Sequence, residues 1–394
     1  MDLWRQLLCP FIAASQGVRL VRDRMRVATF NIENFFTRVR ALNAVDSAEN
    51  KQVMEDVVRL QELIAKDAYS ASDKSDMKEI LERNNVEQPA VRNFFVQQIR
   101  GKLYTAAKHH PAGKTAISQI KANGRAEWTG WIEFDRDVFD SKAVENTALV
   151  ISKINADILC LVEVESRPAI VDFNKHFLKR RHRYSYKMLI DGNDPRGIDI
   201  ALFSRYELRN LRSHVEDKID KHEIFSRDCA EYQVILPNGK SLWMLCNHFK
   251  SRGYGNPADN DAKRLKQSTR VREILKRFDL KKDLVIVAGD FNELPDSPSL
   301  APLLQHATHL HNAFAKLQTD ADQWTHRDDV AKNKQIDYLL LSDSLFNACQ
   351  KVGIDRRGIY SKTNFKDKYP RFDTVTSESN QASDHACVWA DFAL

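Results

Sequence analysis

The chain has 394 residues, 43% hydrophobic and 29% charged, a balance that suits a globular protein with a large core and excludes a fibrous or low-complexity one. No apolar run reaches the length of a membrane-spanning helix. The net charge of +6, with an isoelectric point near 8.8, favours anionic ligands without identifying one.

The six cysteines show no CxxC pair and no framework spacing. Cys160, Cys246 and Cys387 sit in apolar runs, where a free thiol packs as a small hydrophobe, so a reducing, cytoplasmic setting is expected. At the N-terminus, MDLWRQLLCPFIAASQ carries Arg5 and a short apolar patch, but Pro10 interrupts the patch and Asp2 offsets the charge. Residues 1–25 therefore read as a poorly ordered extension rather than a signal peptide, with Met25 a candidate start and one domain over 26–394.

Val27 to Ile32 is the first strand, and it runs into Asn31, Glu33 and Asn34. From about Thr37 to Val144 the pattern becomes helix-like: QVMEDVVRLQELIA and AVRNFFVQQIRGKLYTAAK place apolar residues at helical spacing, which predicts a helical insertion at about 37–144. Its charges mix in sign, as on solvated helix faces. In the turn GRAEWTGWIEF, Trp128 and Trp131 either stack on a base or pin the insertion to the core, and the second reading is preferred. Next, ENTALVISKINADILCLVEVES reads as a helix opened by Asn146 or Thr147 and ended by Asn155, then a strand from Asp157 to Val164 carrying Glu163, with Glu165 beyond it.

Further strands follow: GIDIALFSRY, then AEYQVILPNG and SLWMLCNHFKS as a hairpin turning at Asn238–Gly239, then VIVAGD, QIDYLLLS and ACVWADFAL. AKRLKQSTRVREILKRF, between the hairpin and VIVAGD, has the period of a surface helix. The Val-, Ile- and Leu-rich strands suggest sheets covered by helices on one side and by a second sheet on the other.

Six apolar strands end on, or are interrupted by, groups suited to metal or phosphate chemistry: Asn31 and Glu33; Glu163; Asn247 and His248; Asp290 and Asn292; Asp337; Asp384 and His385. Singly, each has an ordinary explanation as a turn former, a cap or a satisfied sheet acid, and for any one of them that explanation is the better one. Their repetition at strand ends is what points to a site.

The blocks VATFNIENFF, ADILCLVEVE, RGIDIALFSR, LCNHFKSRG, VIVAGDFNELPDSPS, QIDYLLLS and SDHACVWADF, in this order, resemble the endonuclease/exonuclease/phosphatase superfamily over roughly two thirds of the chain. That resemblance implies a four-layer α/β sandwich, two packed β-sheets flanked by helices, with the site at one end and the large helical insertion added. It also implies a metal-dependent phosphodiesterase. Glu163 matches the principal metal ligand, with Asn31, Glu33 and Asp384 as further ligands. Asp290 matches the carboxylate that handles a proton at the attacking water or the leaving oxygen, and Asn292 the amide beside it. His385 matches the histidine on the scissile phosphate and Asp337 the acid that orients it. His248 matches a second histidine near the phosphate, with Asn247 as its support and a phosphate contact, and Lys250, Arg252 and Arg196 are candidates for added phosphate-facing charge. Oxygen ligands suit Mg²⁺ or Mn²⁺.

Two features depart from the family pattern. Val162 stands where a Gln usually precedes the metal-binding Glu, removing one hydrogen bond. The 37–144 segment is far longer than the usual link, and a lid, a specificity element, a partner surface and an extra packed layer all remain open for it. The loop KTNFKDKYPRF interleaves Lys366, Lys368 and Arg371 with Phe and Tyr, a composition shared by nucleic-acid grooves and ordinary exposed loops. The expected activity is hydrolysis of nucleic acid by an endonuclease, with DNA favoured over RNA. The alternatives are a phosphatase or phospholipase C-like enzyme of a small or lipid phosphoester (phosphoinositide, nucleotide, sphingomyelin), and an inactive scaffold that keeps the fold.

Overall fold

The computed structural model describes residues 24–33, 37–39, 47–106, 117–138, 141–194, 196–253, 256–305, 308–318, 322–327, 335–360 and 369–394. Most of the N-terminal extension (1–23), Asn34 and residues 362–368 of the basic loop lie outside them.

The apolar runs form two six-stranded sheets. In the first, the strands lie in the order Cys349–Asp355, Cys387–Phe392, Met25–Asn31, Ile158–Val164, Asp199–Ser204, Tyr186–Ile190. The second runs Glu207–Arg212, Cys229–Ile235, Ser241–His248, Leu284–Asp290, Asp337–Ser342, Leu310–Asn312. Each sheet holds one parallel pair near its centre, Met25–Asn31 with Ile158–Val164 and Ser241–His248 with Leu284–Asp290, and antiparallel neighbours elsewhere. The hairpin turns where Asn238–Gly239 predicts, with Gly239 at φ 82°.

The sheets pack face to face through Val27, Cys160, Val162 and Leu202 on one side and Met244, Cys246, Ile286 and Leu339 on the other. Their outer faces are covered in turn. Phe30, Leu159 and Leu161 meet the helix Ser141–Ile154, and Leu245, Val285 and Val287 meet the helix Pro257–Leu275. Strands buried on both faces have no polar face to show, which explains their near-continuous apolar sequences. The result is the expected four-layer α/β sandwich.

The insertion differs from expectation. It contains two helices, Ser47–Ile64 and Ala71–Arg83, but AVRNFFVQQIRGKLYTAAK is not a helix: it supplies the strands Phe94–Arg100 and Tyr104–Ala106. The first pairs with Thr129–Phe134 and the second with Ile117–Ile120. Gly101 breaks the segment at φ 67°, and a Cβ there would lie 2.2 Å from the Glu127 carbonyl oxygen. Along Thr129–Phe134, exposed and buried residues alternate, so the Trp-rich stretch is a strand with one face on a core.

That core is the insertion's own. Val57, Leu60, Met77, Phe94, Leu103, Trp128 and Ile132 belong to one buried cluster that contains no residue of the sandwich. Trp128 is buried within it and donates its Nε1–H to Tyr69 Oη at 2.9 Å, whereas Trp131 is exposed; neither pins the insertion to the main core. The unit ends sooner than expected, because the helix Ser141–Ile154 covers the first sheet. Asn146 and Thr147 sit inside this helix and bind the backbone of Asn380 and Ala382. The insertion leaves and rejoins the sandwich through a short antiparallel ribbon, Thr37–Val39 with Arg136–Val138.

Candidate active site

Both parallel pairs point their C-terminal ends to the same end of the sandwich, and the polar residues of the strand ends meet there. On the second sheet, Asp290 lies beside His248 on one neighbouring strand and beside Asp337 on the other. On the first, Asn31 ends its strand and reaches across the sheets to donate its amide to Asp290 Oδ2 at 3.2 Å.

Asp290 is 1% exposed. Besides Asn31, it accepts from the Asn292 backbone N–H at 2.8 Å and the Asn292 side-chain amide at 3.0 Å. Asn292 adopts a left-handed φ of 51°, which folds its backbone and side chain onto the same carboxylate. Burial and the adjacent Asp337 carboxylate push Asp290 up to about 7, against the pull of His385 and the Asn292 N–H.

Glu163 owes its direction to a bulge. Val162 packs between the sheets, yet Val164 also departs from strict alternation and lies in the outer core. Between them Glu163 has φ 63°, and the pairing with Asp199–Ser204 slips by one residue. The extra residue turns the carboxylate into the site, 3.8 Å from His248 Nε2. Among the described residues it accepts no hydrogen bond, so its oxygens are available to a hard cation. Glu163 and the amide oxygen of Asn31, which accepts the Glu33 N–H at 3.1 Å, are hard oxygen donors of the kind that suits Mg²⁺ or Mn²⁺. Val162 is fully buried in the inter-sheet core, so apolar packing takes the place of the hydrogen bond that a Gln would supply.

The two histidines are held in opposite states. His385 donates its Nδ1–H to Asp337 Oδ2 at 2.9 Å, which turns Nε2 towards Asp290 Oδ2 at 4.0 Å. Burial pushes its ring down, but Asp337, Asp384 and Asp290 outweigh burial and hold it well above the usual histidine range. His248, buried with Nε2 3.7 Å from Asp290 Oδ2, is held well below that range by burial and by Arg227 and Arg196. Its Nδ1 has no partner among the described residues. The surroundings thus favour the protonated form of His385 and the neutral form of His248.

Glu33, at φ 51°, joins the Asp384 side of the site rather than Glu163: its Oε2 accepts from the Asp384 N–H and the Gln381 amide, both at 3.0 Å. Arg196 lies near the site but is clamped on Asp194 through Nε and Nη2 at 2.9 and 2.7 Å. Burial lowers the Lys250 ammonium to about 8, with Arg227 and Arg196 adding to the effect. Asn247 is a correction. Strand alternation puts it on the helix-covered face with Leu245, whose carbonyl accepts its amide at 3.1 Å, while His248 faces the other sheet. It is therefore no phosphate contact. Of the basic loop, Arg371 is described and stacks on Tyr360 at 4.6 Å.

Two site residues escaped the sequence reading. Arg227 is 2% exposed, lies 2.9 Å from Asp194 Oδ2 and is near enough to interact electrostatically with Glu163 and Asp290. His326 sets its ring 4.6 Å from that of His385, tilted by 56°. Each is a lone residue in a polar stretch, SRDC and WTHR, and only the Thr and Trp beside His326 hinted at a buried segment.

The family model for the endonuclease/exonuclease/phosphatase family matches residues 135–385, more than half of the chain. No curated protein matches. Among solved structures, a truncated TDP2 of Caenorhabditis elegans is similar at 18% identity, covering 64% of this chain and 91% of its own, with a TM-score of 0.43. The catalytic domain of human Nocturnin is similar at 17% identity over 65% and 88%, with a TM-score of 0.46. A mannosyl-6-phosphatase of Bacteroides thetaiotaomicron is similar at 14% identity over 63% and 90%, with a TM-score of 0.44.

Proposed function

Since the chain belongs to the endonuclease/exonuclease/phosphatase family, whose members hydrolyse phosphoesters, we propose that it is a divalent-metal-dependent phosphodiesterase that cleaves nucleic acid internally, with DNA as the preferred substrate. The observation that carries the reading is the convergence of Glu163, Asn31, Asp290, His248 and the His385–Asp337 pair at one end of the sandwich.

In this reading Glu163 and Asn31 hold the cation, which when bound neutralises phosphate oxygens and lowers the barrier to attack. Asp290 takes the proton from the attacking water. Its two amide donors and the Asn292 N–H favour the ionised, accepting form, while burial keeps its basicity near neutral pH. Asn292 and Asn31 fix the carboxylate so that it needs no reorganisation. His385, positively charged and steered by Asp337, offers an N–H to the phosphate, and His248 offers a neutral ring on the other side. Arg227, Arg196 and Lys250 add positive charge beside the reacting phosphate, which supports a polyanionic substrate.

The test is the purified protein with Mg²⁺, Mn²⁺ or EDTA on plasmid DNA, single-stranded DNA, RNA, phosphoinositides and sphingomyelin. Metal-dependent nicking of the plasmid is expected. Turnover of only the lipid or small phosphoesters would transfer the site to that substrate class, and EDTA-resistant hydrolysis would overturn the mechanism.

A further inference from the structure

The stretch LKRRHRY, from Leu178 to Tyr184, sets a run of basic residues between two apolar anchors. Leu178 and Tyr184 are buried in the core outside the first sheet. The Asn174 side chain fixes the second anchor, accepting the Tyr184 N–H at 2.8 Å and donating to its carbonyl at 3.2 Å. His182 is tied through Nδ1 to Asn155 Oδ1 at 3.1 Å. With these points held, Lys179, Arg180, Arg181 and Arg183 are left exposed on one short, fixed turn.

Their charge is not neutralised. Surface cations elsewhere sit on carboxylates, as Arg59 does on Asp76 and Arg209 on Glu207. Among the described residues, none of Lys175, Lys179, Arg180, Arg181 and Arg183 forms an ion pair. Arg183 donates to the carbonyls of Leu178 and Lys175, which orient the guanidinium without cancelling its charge. The His182 ring responds to the same field: burial, then Arg181, Arg205 and Lys179, hold it below the usual histidine range.

The turn lies at the end of the sandwich opposite the active site. Tyr186 pairs with Ser204, Ser204 with Ile158 and Ile158 with Val27, all at strand ends remote from Glu163 and Asn31. Ile158 to Glu163 spans about 16 Å of strand at ~3.3 Å per residue. Exposed Arg24 enters the first sheet at the same end. A duplex lying across this face would not reach the catalytic groups, because DNA is stiff over lengths well below about 150 base pairs.

We propose that this basic end is a docking face for a membrane surface rich in anionic lipid, the headgroups of a lipid such as phosphatidylserine being its partners. Several cations held on one rigid turn meet a planar array of anionic headgroups together, and each adds to the attraction. Docking in this way directs the active-site end away from the bilayer, towards substrates in solution, so the lipids are anchors and not substrates. The inference needs only the fold and the distribution of charge, and it stands or falls apart from the proposed nuclease activity.

The test is cosedimentation of the full chain, in EDTA, with phosphatidylcholine vesicles with or without phosphatidylserine. Binding to the serine-containing vesicles alone is expected, released by raised salt. The triple variant Lys179→Ala, Arg180→Ala, Arg181→Ala should bind them at least ~10-fold more weakly and hydrolyse a soluble phosphodiester normally. A matched variant, Lys51→Ala, Arg59→Ala, Lys78→Ala, removes the same charge from ion-paired positions of the insertion and should bind as the wild type does. Equal vesicle binding by the two variants would overturn the proposal, as would the absence of binding to anionic vesicles by the wild type. If the first variant instead lost affinity for duplex DNA in EDTA while vesicle binding persisted, the face would be a nucleic-acid contact and the lipid assignment would fall.

Discussion

Asp290 Oδ2 and His385 Nε2 lie 4.0 Å apart, and the titrations of the two groups set the pH dependence of the proposed reaction. Asp290 must be ionised to accept a proton, so the rate should rise with pH through about 7. His385 must keep its proton, so the rate should fall again at higher pH; a bell-shaped profile of kcat/KM is the check. Asp290→Asn and His385→Ala are each expected to lower kcat/KM by ~10²–10⁴-fold without loss of the fold. The same carboxyl also bears on stability. Its pKa in the folded protein, about 7, exceeds the ordinary 3.8, so the folded state binds more protons between those values and loses stability as pH rises through them. In the metal-free protein, Asp290→Asn should therefore raise the melting temperature at pH 8 and leave it nearly unchanged below pH 4. Glu163→Gln should shift the Mg²⁺ titration of hydrolysis to at least ~10-fold higher concentration. The types and order of these residues were legible in GDFN, SDH and the lone Glu of LVEVES. The direction of Glu163 was not, because it depends on a left-handed bulge that no local pattern announces.

At the scale of elements, the insertion shows how apolar spacing misleads. The run from Ala90 to Lys108 fits a helical period, but its strands are defined by partners distant in sequence, such as Gln97 opposite Trp131. Local periodicity cannot distinguish the two when bulky residues come in short clusters. Gly101 was the better signal, since its φ of 67° ends any helix there. Gly101→Ala places a Cβ against the Glu127 carbonyl in a left-handed backbone and should destabilise the insertion by ~1–3 kcal/mol, read as an earlier melting transition. Trp128→Ala should cost about 3–5 kcal/mol in the same unit by emptying its core and leaving the Tyr69 hydroxyl without its donor.

For the molecule as a whole, the insertion's separate core and paired exit strands make it a removable unit. Replacing residues 40–135 by a short Gly/Ser loop should leave the sandwich folded, with its circular dichroism and hydrolysis of a small phosphodiester retained. A change confined to long DNA substrates would give the unit a role in substrate engagement. Both sheets place a parallel pair at the centre, and this pairing brings Asn31, from before the residues matched by the family model, beside Glu163, Asp290 and His248. By itself the sequence determined the sandwich, the acids and the histidines, because runs buried on both faces and polar groups at their ends leave a mark in one dimension. Only the tertiary structure decided which of them meet. Strand alternation turned Asn247 away, a bulge turned Glu163 inward, and pairing of two polar segments brought His326 to His385, all of them set by contacts between residues far apart in the chain.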